Sequence, residues 1–259
     1  MDSNLVIDMT KKDDFFIPSN TIGRIENEQY GHIVPLIRTV EAFSRLSYQS
    51  VYLIDYSQQN FLYVSDNPLF LCGLSSQEVR ELGYAYYLKY VPEEEQSMLV
   101  QINSGGFRLF DSLPIEERQS CYVTYDFHLL YDRKKILINH KLTPILLSDE
   151  RKVWIAMCIV SLSTHDTAGH IEFHQDGKSD YWRYSLEGHR WIKQEGVVLK
   201  EEEKDMLRLA SSGLTMNEIA ERMCKSVDTV KFYRRNMFER LKVANITEAL
   251  SFATNNKLL

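Results

Sequence analysis

No run of 18 apolar residues occurs in the 259-residue chain, so no segment is predicted to span a membrane and no membrane partner is expected. The opening, Met1-Asp2-Ser3-Asn4-Leu5-Val6-Ile7-Asp8, lacks a basic stretch followed by an apolar core, which argues against export. Cysteine is sparse. Cys72, Cys121, Cys158 and Cys224 lie far apart with no Cys-x-x-Cys spacing, so neither a zinc site nor a disulfide framework is indicated, and a reducing cytoplasm is the expected location. Catalytic signatures are missing as well: there is no Gly-x-Ser-x-Gly elbow, no Gly-x-x-x-x-Gly-Lys phosphate loop and no His-Glu-x-x-His run. The acidic pair Asp13-Asp14 does not follow a strand, which argues against a phosphoacceptor domain. No enzyme is expected, and no internal repeat or low-complexity tract appears.

What is present is an uneven distribution of charge. The formal net charge of −6 argues by itself against non-specific nucleic-acid binding. Residues 197–259, however, hold 11 Lys and Arg against 9 Asp and Glu, a net of +2, which leaves 19 against 27, a net of −8, for residues 1–196. That asymmetry suits a DNA-binding tail on an acidic sensory body. A net of +2 is modest, so tight binding calls for two copies of the tail.

The tail reads as four helices. Met206, Leu207, Leu209 and Ala210 fall at helical spacing ahead of Ser212-Gly213. Thr215 with Glu218 three residues on forms a capping box for a second helix carrying Ile219, Ala220 and Met223. Ser226 and Asp228 offer the next cap, and a third helix from about Thr229 to Leu241 sets Val230, Tyr233, Met237 and Leu241 on one face and Lys231, Phe232, Arg234 and Arg235 on the other. Two helices joined by a four-residue turn, the second basic early in its length, match the geometry that lays a recognition helix in the major groove. In the fourth helix, Ile246, Ala249, Leu250 and Ala253 recur at i, i+3, i+4, i+7, a stripe that suits core packing.

The run Leu207-Arg208-Leu209-Ala210-Ser211-Ser212-Gly213-Leu214-Thr215-Met216-Asn217-Glu218-Ile219-Ala220-Glu221-Arg222-Met223, then Thr229-Val230-Lys231, Leu241-Lys242-Val243-Ala244-Asn245 and Thr247-Glu248-Ala249, closely resembles the LuxR/GerE type of DNA-binding domain. The resemblance implies that Lys231, Phe232 and Arg235 face base edges while Thr229 and Arg234 meet phosphates. It also implies that the fourth helix pairs subunits, giving a homodimer on double-stranded DNA, with RNA polymerase as a further partner. Two positions depart from the pattern: Glu202-Glu203 replaces a usual Arg-Glu pair, and Ile246 stands where an Arg usually precedes Thr-Glu-Ala. The first bears on helix packing and the second on a phosphate contact.

Ahead of the tail, Phe15-Phe16-Ile17-Pro18 is expected to dock on the body, and Pro35 to begin a helix with Leu36, Val40, Phe43 and Leu46 as its stripe. Val51 to Ser57 and Phe61 to Ser65 read as a hairpin about Gln58-Gln59-Asn60. Helical pieces follow, with Ser75 and Glu78 as a cap and Pro92 opening the helix of Met98, Leu99 and Ile102. Three long strands run over 122–131, 134–146 and 152–164; the last is apolar on both faces, so both should be covered. Residues 166–196 alternate as a separate small meander, with Gln194-Glu195-Gly196 as the boundary. Two strands, a helical middle and three antiparallel strands resemble a PAS sensor domain, and 64–78 is similar to that family's strand-to-helix entry. PAS domains take small molecules or partners, or pair with each other, and the fold does not choose among these.

The fold class is therefore α+β: a PAS-like five-stranded antiparallel sheet with helices, followed by an all-α four-helix helix-turn-helix domain. The segments are 1–44 (N-terminal helix), 45–165 (sensor), 166–196 (meander and linker) and 197–259 (DNA binding). His170 and His174 stand four apart, but Ile171 and Phe173 alternate as in a strand and no third ligand is near in sequence, so no metal is expected. His140 shares a strand face with Ile136, Ile138 and Leu142 and is read as a satisfied core histidine, with ligand or haem contact the lesser reading. Cys72 lacks the flanking pattern of the flavin-binding light sensors, so no cofactor is expected. The reading is a bacterial transcription regulator whose sensor, on meeting a small molecule or partner, alters how two tails are held; the alternative is an interaction module acting on other regulators without touching DNA.

Overall fold

A computed structural model of the chain describes residues 10–256 and 258–259. The reading of the first eight residues therefore lies outside the described part. The chain divides into two compact units, meeting after Gln194. No helix among the described residues is long and apolar enough to cross a membrane.

The N-terminal unit is built on one antiparallel sheet. Strands β1 (Ser50–Asp55) and β2 (Asn60–Val64) form the expected hairpin, and β3 (Cys121–Tyr131), β4 (Lys134–Leu147) and β5 (Val153–Leu162) the three long strands. The β3–β4 turn places Asp132 and Arg133 at φ 47° and 59°, the two left-handed residues of the hairpin turn whose twist suits the strands. Helices α2 (Pro68–Leu71), α3 (Ser76–Leu82), α4 (Ala85–Tyr90) and α5 (Glu93–Ser112) fill the middle of the unit. They pack on the face of β1 that carries Tyr52 and Ile54, giving the PAS-like arrangement of five strands with helices on one side. The Ser75–Glu78 capping box forms as its residues require, and Met98, Leu99 and Ile102 of α5 are buried.

The sheet does not stop at five strands. Its order is β2-β1-β5-β4-β3-β6-β7-β8, with β6 (Gly169–Gln175), β7 (Tyr181–Ser185) and β8 (Arg190–Gln194) added beyond β3. The meander anticipated as a separate element is thus a continuation of the N-terminal sheet. Period-two alternation identifies a strand but not its neighbour, and β3 would otherwise present a long row of unpaired backbone groups at the sheet edge. The extension is fastened to α5: Trp191 Nε1 donates to the Gly105 carbonyl at 2.9 Å, and the Tyr184 ring lies so near Gly105 that a Cβ there would come within 2.8 Å of it. Glycine is needed at 105 for that approach.

The opposite face of the sheet is covered by α1 (Asn27–Leu46). Ile33 and Val40 are buried against Val51, Leu53, Trp154 and Ile155, so both faces of β5 are enclosed as expected. Pro35 lies inside α1 and does not open it, so the helix interior tolerates one missing N–H. The buried stripe runs through Ile33, Leu36, Ile37 and Val40, while Phe43 and Leu46, expected within it, are exposed. Phe15 docks as anticipated, its ring 5.7 Å from that of Tyr87, and Phe16 meets Tyr84 edge-on at 4.6 Å.

At the centre of the N-terminal unit lies a buried polar chain. Tyr52 Oη is 2.6 Å from Tyr87 Oη and 2.5 Å from His140 Nε2, and Tyr52 stacks on Phe70 at 4.4 Å. His140 is fully buried, and its Nδ1 has no hydrogen-bond partner among the described residues, so the ring is satisfied on one side only. Burial pushes the His140 pKa down to about 3, so the ring is neutral. A neighbouring cavity of about 50 Å³ is lined by Ile102, Phe107, Phe110, Val123, Tyr125 and Phe173 among others.

Candidate nucleic-acid interface

The C-terminal unit forms from strongly local signals. Helix α6 (Glu201–Ser211) buries Met206 and Leu207; α7 (Met216–Arg222) buries Ile219 and Ala220; α8 (Val227–Leu241) buries Val230, Met237 and Leu241. These side chains, with Ala249 and Ala253 of α9 (Ile246–Asn255), make a single core. Each helix start is defined by a side chain. Thr215 Nα donates to Glu218 Oε2 at 2.8 Å, reciprocating the cap. Ser226 Oγ accepts from Thr229 Nα at 3.2 Å, and Asn245 Oδ1 from Glu248 Nα at 2.9 Å. Hydrogen bonds from Thr215 hold the Glu218 carboxyl below its ordinary pKa.

The turn between α7 and α8 spans Met223 to Ser226. Cys224 takes φ 52°, and Lys225 Nα donates back to the Ala220 carbonyl at 2.9 Å, which closes α7 and turns the chain sharply into α8. Of the two anticipated caps, Ser226 performs the role; Asp228 sits in the first turn instead.

The core residues of α8 fix which flank is left outside. Lys231, Phe232 and Arg235 are exposed, and Arg234 and Thr229 are half-buried. The Phe232 ring is 51% exposed, an uncommon place for a large apolar side chain, and the Arg235 guanidinium lies 5.7 Å from its centroid. Arg234 lies 5.9 Å from the centroid of Phe238. Lys231 Nζ stands 3.8 Å from Asp228 Oδ1, an exposed pair of little energetic weight. Thr229 Oγ1 is 2.8 Å from Ser226 Oγ, so this hydroxyl is shared with the cap. Lys231, Phe232, Arg234 and Arg235, together with Phe238, Lys242 and Asn245, line an open groove along this flank. All five residues named for DNA contact thus fall on or beside one surface.

One feature escapes the sequence reading. Glu203 is 2% exposed, accepts from Lys200 Nα at 2.9 Å and bonds the Arg240 guanidinium, tying α6 to α8. Its partner lies 37 residues away, beyond any local spacing. Glu202, which occupies the other departing position, is exposed and leaves packing untouched. Ile246 and Leu250 pack against the domain core with buried Ala249 and Ala253, so the stripe on α9 faces inward.

Residues 197–253 match the family model described as bacterial regulatory proteins, luxR family. The C-terminal unit is a LuxR-type helix-turn-helix domain. Its curated relatives include the probable csgAB operon transcriptional regulatory protein of Salmonella typhimurium, 35% identical over 68 residues that make up 26% of this chain and 32% of that one. The HTH-type transcriptional regulator AlkS of Alcanivorax borkumensis is 44% identical over 54 residues, 21% of this chain and 6% of the relative. The chain thus spans about a third of the length of the first of these relatives, over the LuxR-type domain. Among solved structures, a Vibrio cholerae VqmA dimer described without its target DNA is 16% identical across 86% of this chain and 88% of the other, with a TM-score of 0.34. At that score the likeness bears on neither function nor ligand here.

Proposed function

We propose that the chain is a sequence-specific DNA-binding transcription regulator in which α8 enters the major groove. The observation that carries this reading is the division of α8. Val230, Met237 and Leu241 are committed to the core, which leaves Lys231, Phe232 and Arg235 facing solvent outside it. Lys231 and Arg235 would pair with acceptor atoms on guanine, Phe232 would touch a thymine methyl, and Thr229 and Arg234 would contact phosphates. Two copies on a two-fold site, one turn of DNA apart, would supply the charge that a single tail of net +2 lacks.

In the same reading the N-terminal unit senses a small molecule or a partner and controls how the paired tails are arranged. The existing cavity of about 50 Å³ is far below the roughly 300–1,000 Å³ of ordinary ligand pockets, so a ligand of that class would have to open the interior. Native mass spectrometry of the purified protein tests this arm, through a retained small molecule and the subunit count.

The DNA arm is tested by gel shift on the region upstream of the protein's own gene, in parallel with the Lys231→Ala/Arg235→Ala variant. Binding should weaken with salt at a log-log slope of about −0.9 per phosphate neutralised. A double variant that keeps its sequence preference would reject the assignment of the contact residues, and no retarded fragment at any salt concentration would reject DNA binding.

A further inference from the structure

Three side chains that no sequence spacing links meet where the PAS-like sheet passes into its extension. Asp126 of β3 is fully buried, and its Oδ2 lies 2.5 Å from His165 Nδ1, in the loop between β5 and β6. The His165 and His170 rings stack at 3.7 Å with their planes 8° apart. One donor atom from each of Asp126, His165 and His170 lies within 4.8 Å of the other two. His174, the spacing-based partner for His170, is elsewhere: its ring stacks on Tyr122 at 4.9 Å and on Tyr181 at 5.1 Å.

The backbone is bent to bring His170 there. Thr124 pairs with Glu172 and Asp126 with Gly169, so two residues of β6, His170 and Ile171, oppose the single Tyr125. This is a β-bulge, the device by which a strand re-aims one side chain. His170 takes φ 47°, a left-handed conformation that costs a residue with a Cβ about 1 kcal/mol. Ile171 stays in the core at 2% exposure while His170 turns out to meet His165.

The chemistry of the set fits a cation. A buried carboxylate faces two imidazoles, and each of the three side chains offers a donor atom to the same spot. A divalent ion could take the place of the proton between Asp126 and His165 and use both rings. The second Asp126 oxygen is held by Asn139 Nδ2 at 2.8 Å, and Asn139 is itself fixed to Thr124 Oγ1 at 2.9 Å, the secondary contacts that orient a ligating carboxylate. Thr167 Oγ1 stands 3.1 Å from His170 Nε2 and steadies that ring. Tetrahedral zinc with bonds of about 2.0–2.2 Å wants its donors roughly 3.3 Å apart. The present spread of donors, within 4.8 Å, would close by rotation of the two exposed histidines, whose exposure also gives an ion a way in.

We propose that Asp126, His165 and His170 bind one divalent transition-metal ion of the zinc class, pinning the β5–β6 loop to β3. The inference is independent of the DNA-binding reading. The test uses the untagged full-length chain carrying Cys224→Ser, so that this exposed thiol does not compete. Zn(II) is titrated against a chromophoric chelator, and Co(II) is added separately to read the donor set from its visible absorption. One ion per chain is expected, with a nitrogen and oxygen spectrum lacking thiolate bands and a melting temperature that rises with free Zn(II). His165→Ala and His170→Ala should each weaken binding by at least about a hundredfold, while His174→Ala leaves it unchanged. His170 is exposed, so His170→Ala should melt like the parent without metal, whereas His165→Ala strips a partner from the buried Asp126 carboxylate and should melt lower, so its zinc affinity is measured at a temperature where it is folded. Less than one ion per chain, parental affinity in both ligand variants, or loss of binding in His174→Ala would each overturn the site.

Discussion

In the C-terminal unit the five residues named for DNA contact lie within Thr229 to Arg235 of one helix, seven positions in all. In the N-terminal unit the groups that meet come from distant parts of the chain. Tyr52, Tyr87 and His140 are brought together from β1, α4 and β4, and Asp126, His165 and His170 from β3, a loop and β6. A helix fixes the direction of its side chains by its own period, so a helical site is written in consecutive residues. A sheet interior joins residues through registers that only the whole fold determines.

Four measurements would sharpen or break that contrast. The largest effect is expected where the C-terminal unit departs from locality, at the Glu203–Arg240 pair. Removing Arg240 leaves a buried carboxylate with only its backbone donor, so Arg240→Ala should destabilise this unit by about 3 kcal/mol or more, read by urea unfolding. Stability unchanged from the parent would mean that α6 and α8 are held by apolar packing alone. Next comes Lys231→Ala/Arg235→Ala. Each good base contact is worth about 1–3 kcal/mol, so specific DNA affinity should fall by about a hundredfold or more with the melting temperature kept.

The third measurement addresses the N-terminal unit. His140 is held neutral in the fold to about pH 3, whereas in the unfolded chain it takes up a proton near its ordinary value of 6.5. The unfolded state therefore binds more protons across that window. His140 contributes a stability that is complete above about pH 6.5 and falls as the pH drops towards 3, at up to about 1.4 kcal/mol per pH unit. His140→Phe should flatten the acid limb of a stability profile by up to one proton, and an unaltered slope would show that the ring is already protonated in the fold. The smallest effect belongs to the cap: Ser226→Ala should cost about 1 kcal/mol and fray the start of α8, seen as faster amide exchange at Thr229.

The same contrast explains what could be read from the chain. Thr215 with Glu218, the turn before Val227 and the two faces of α8 are all set by residues within a few positions of one another, and each was legible. The β1–β2 hairpin and the three long strands were legible for the same reason. The joining of β6 to β3 was not, because alternation at period two says which residues face inward but not which strand lies alongside. A proline is most at home at a helix start, and only the tertiary packing of Tyr30 and Ile33 extends α1 upstream of Pro35. Spacing pairs His170 with His174 because four is a helical interval, whereas its actual companions lie 5 and 44 positions back and reach it through a bulge.

Gly105 sits where two concerns of the molecule coincide. Its neighbour Gly106, with Ile102, Phe107 and Phe110, walls the interior void, and its own carbonyl takes the Trp191 indole, a few residues before the chain departs for the second unit. Whatever swells that void and whatever tugs on β8 therefore bear on the same turn of α5.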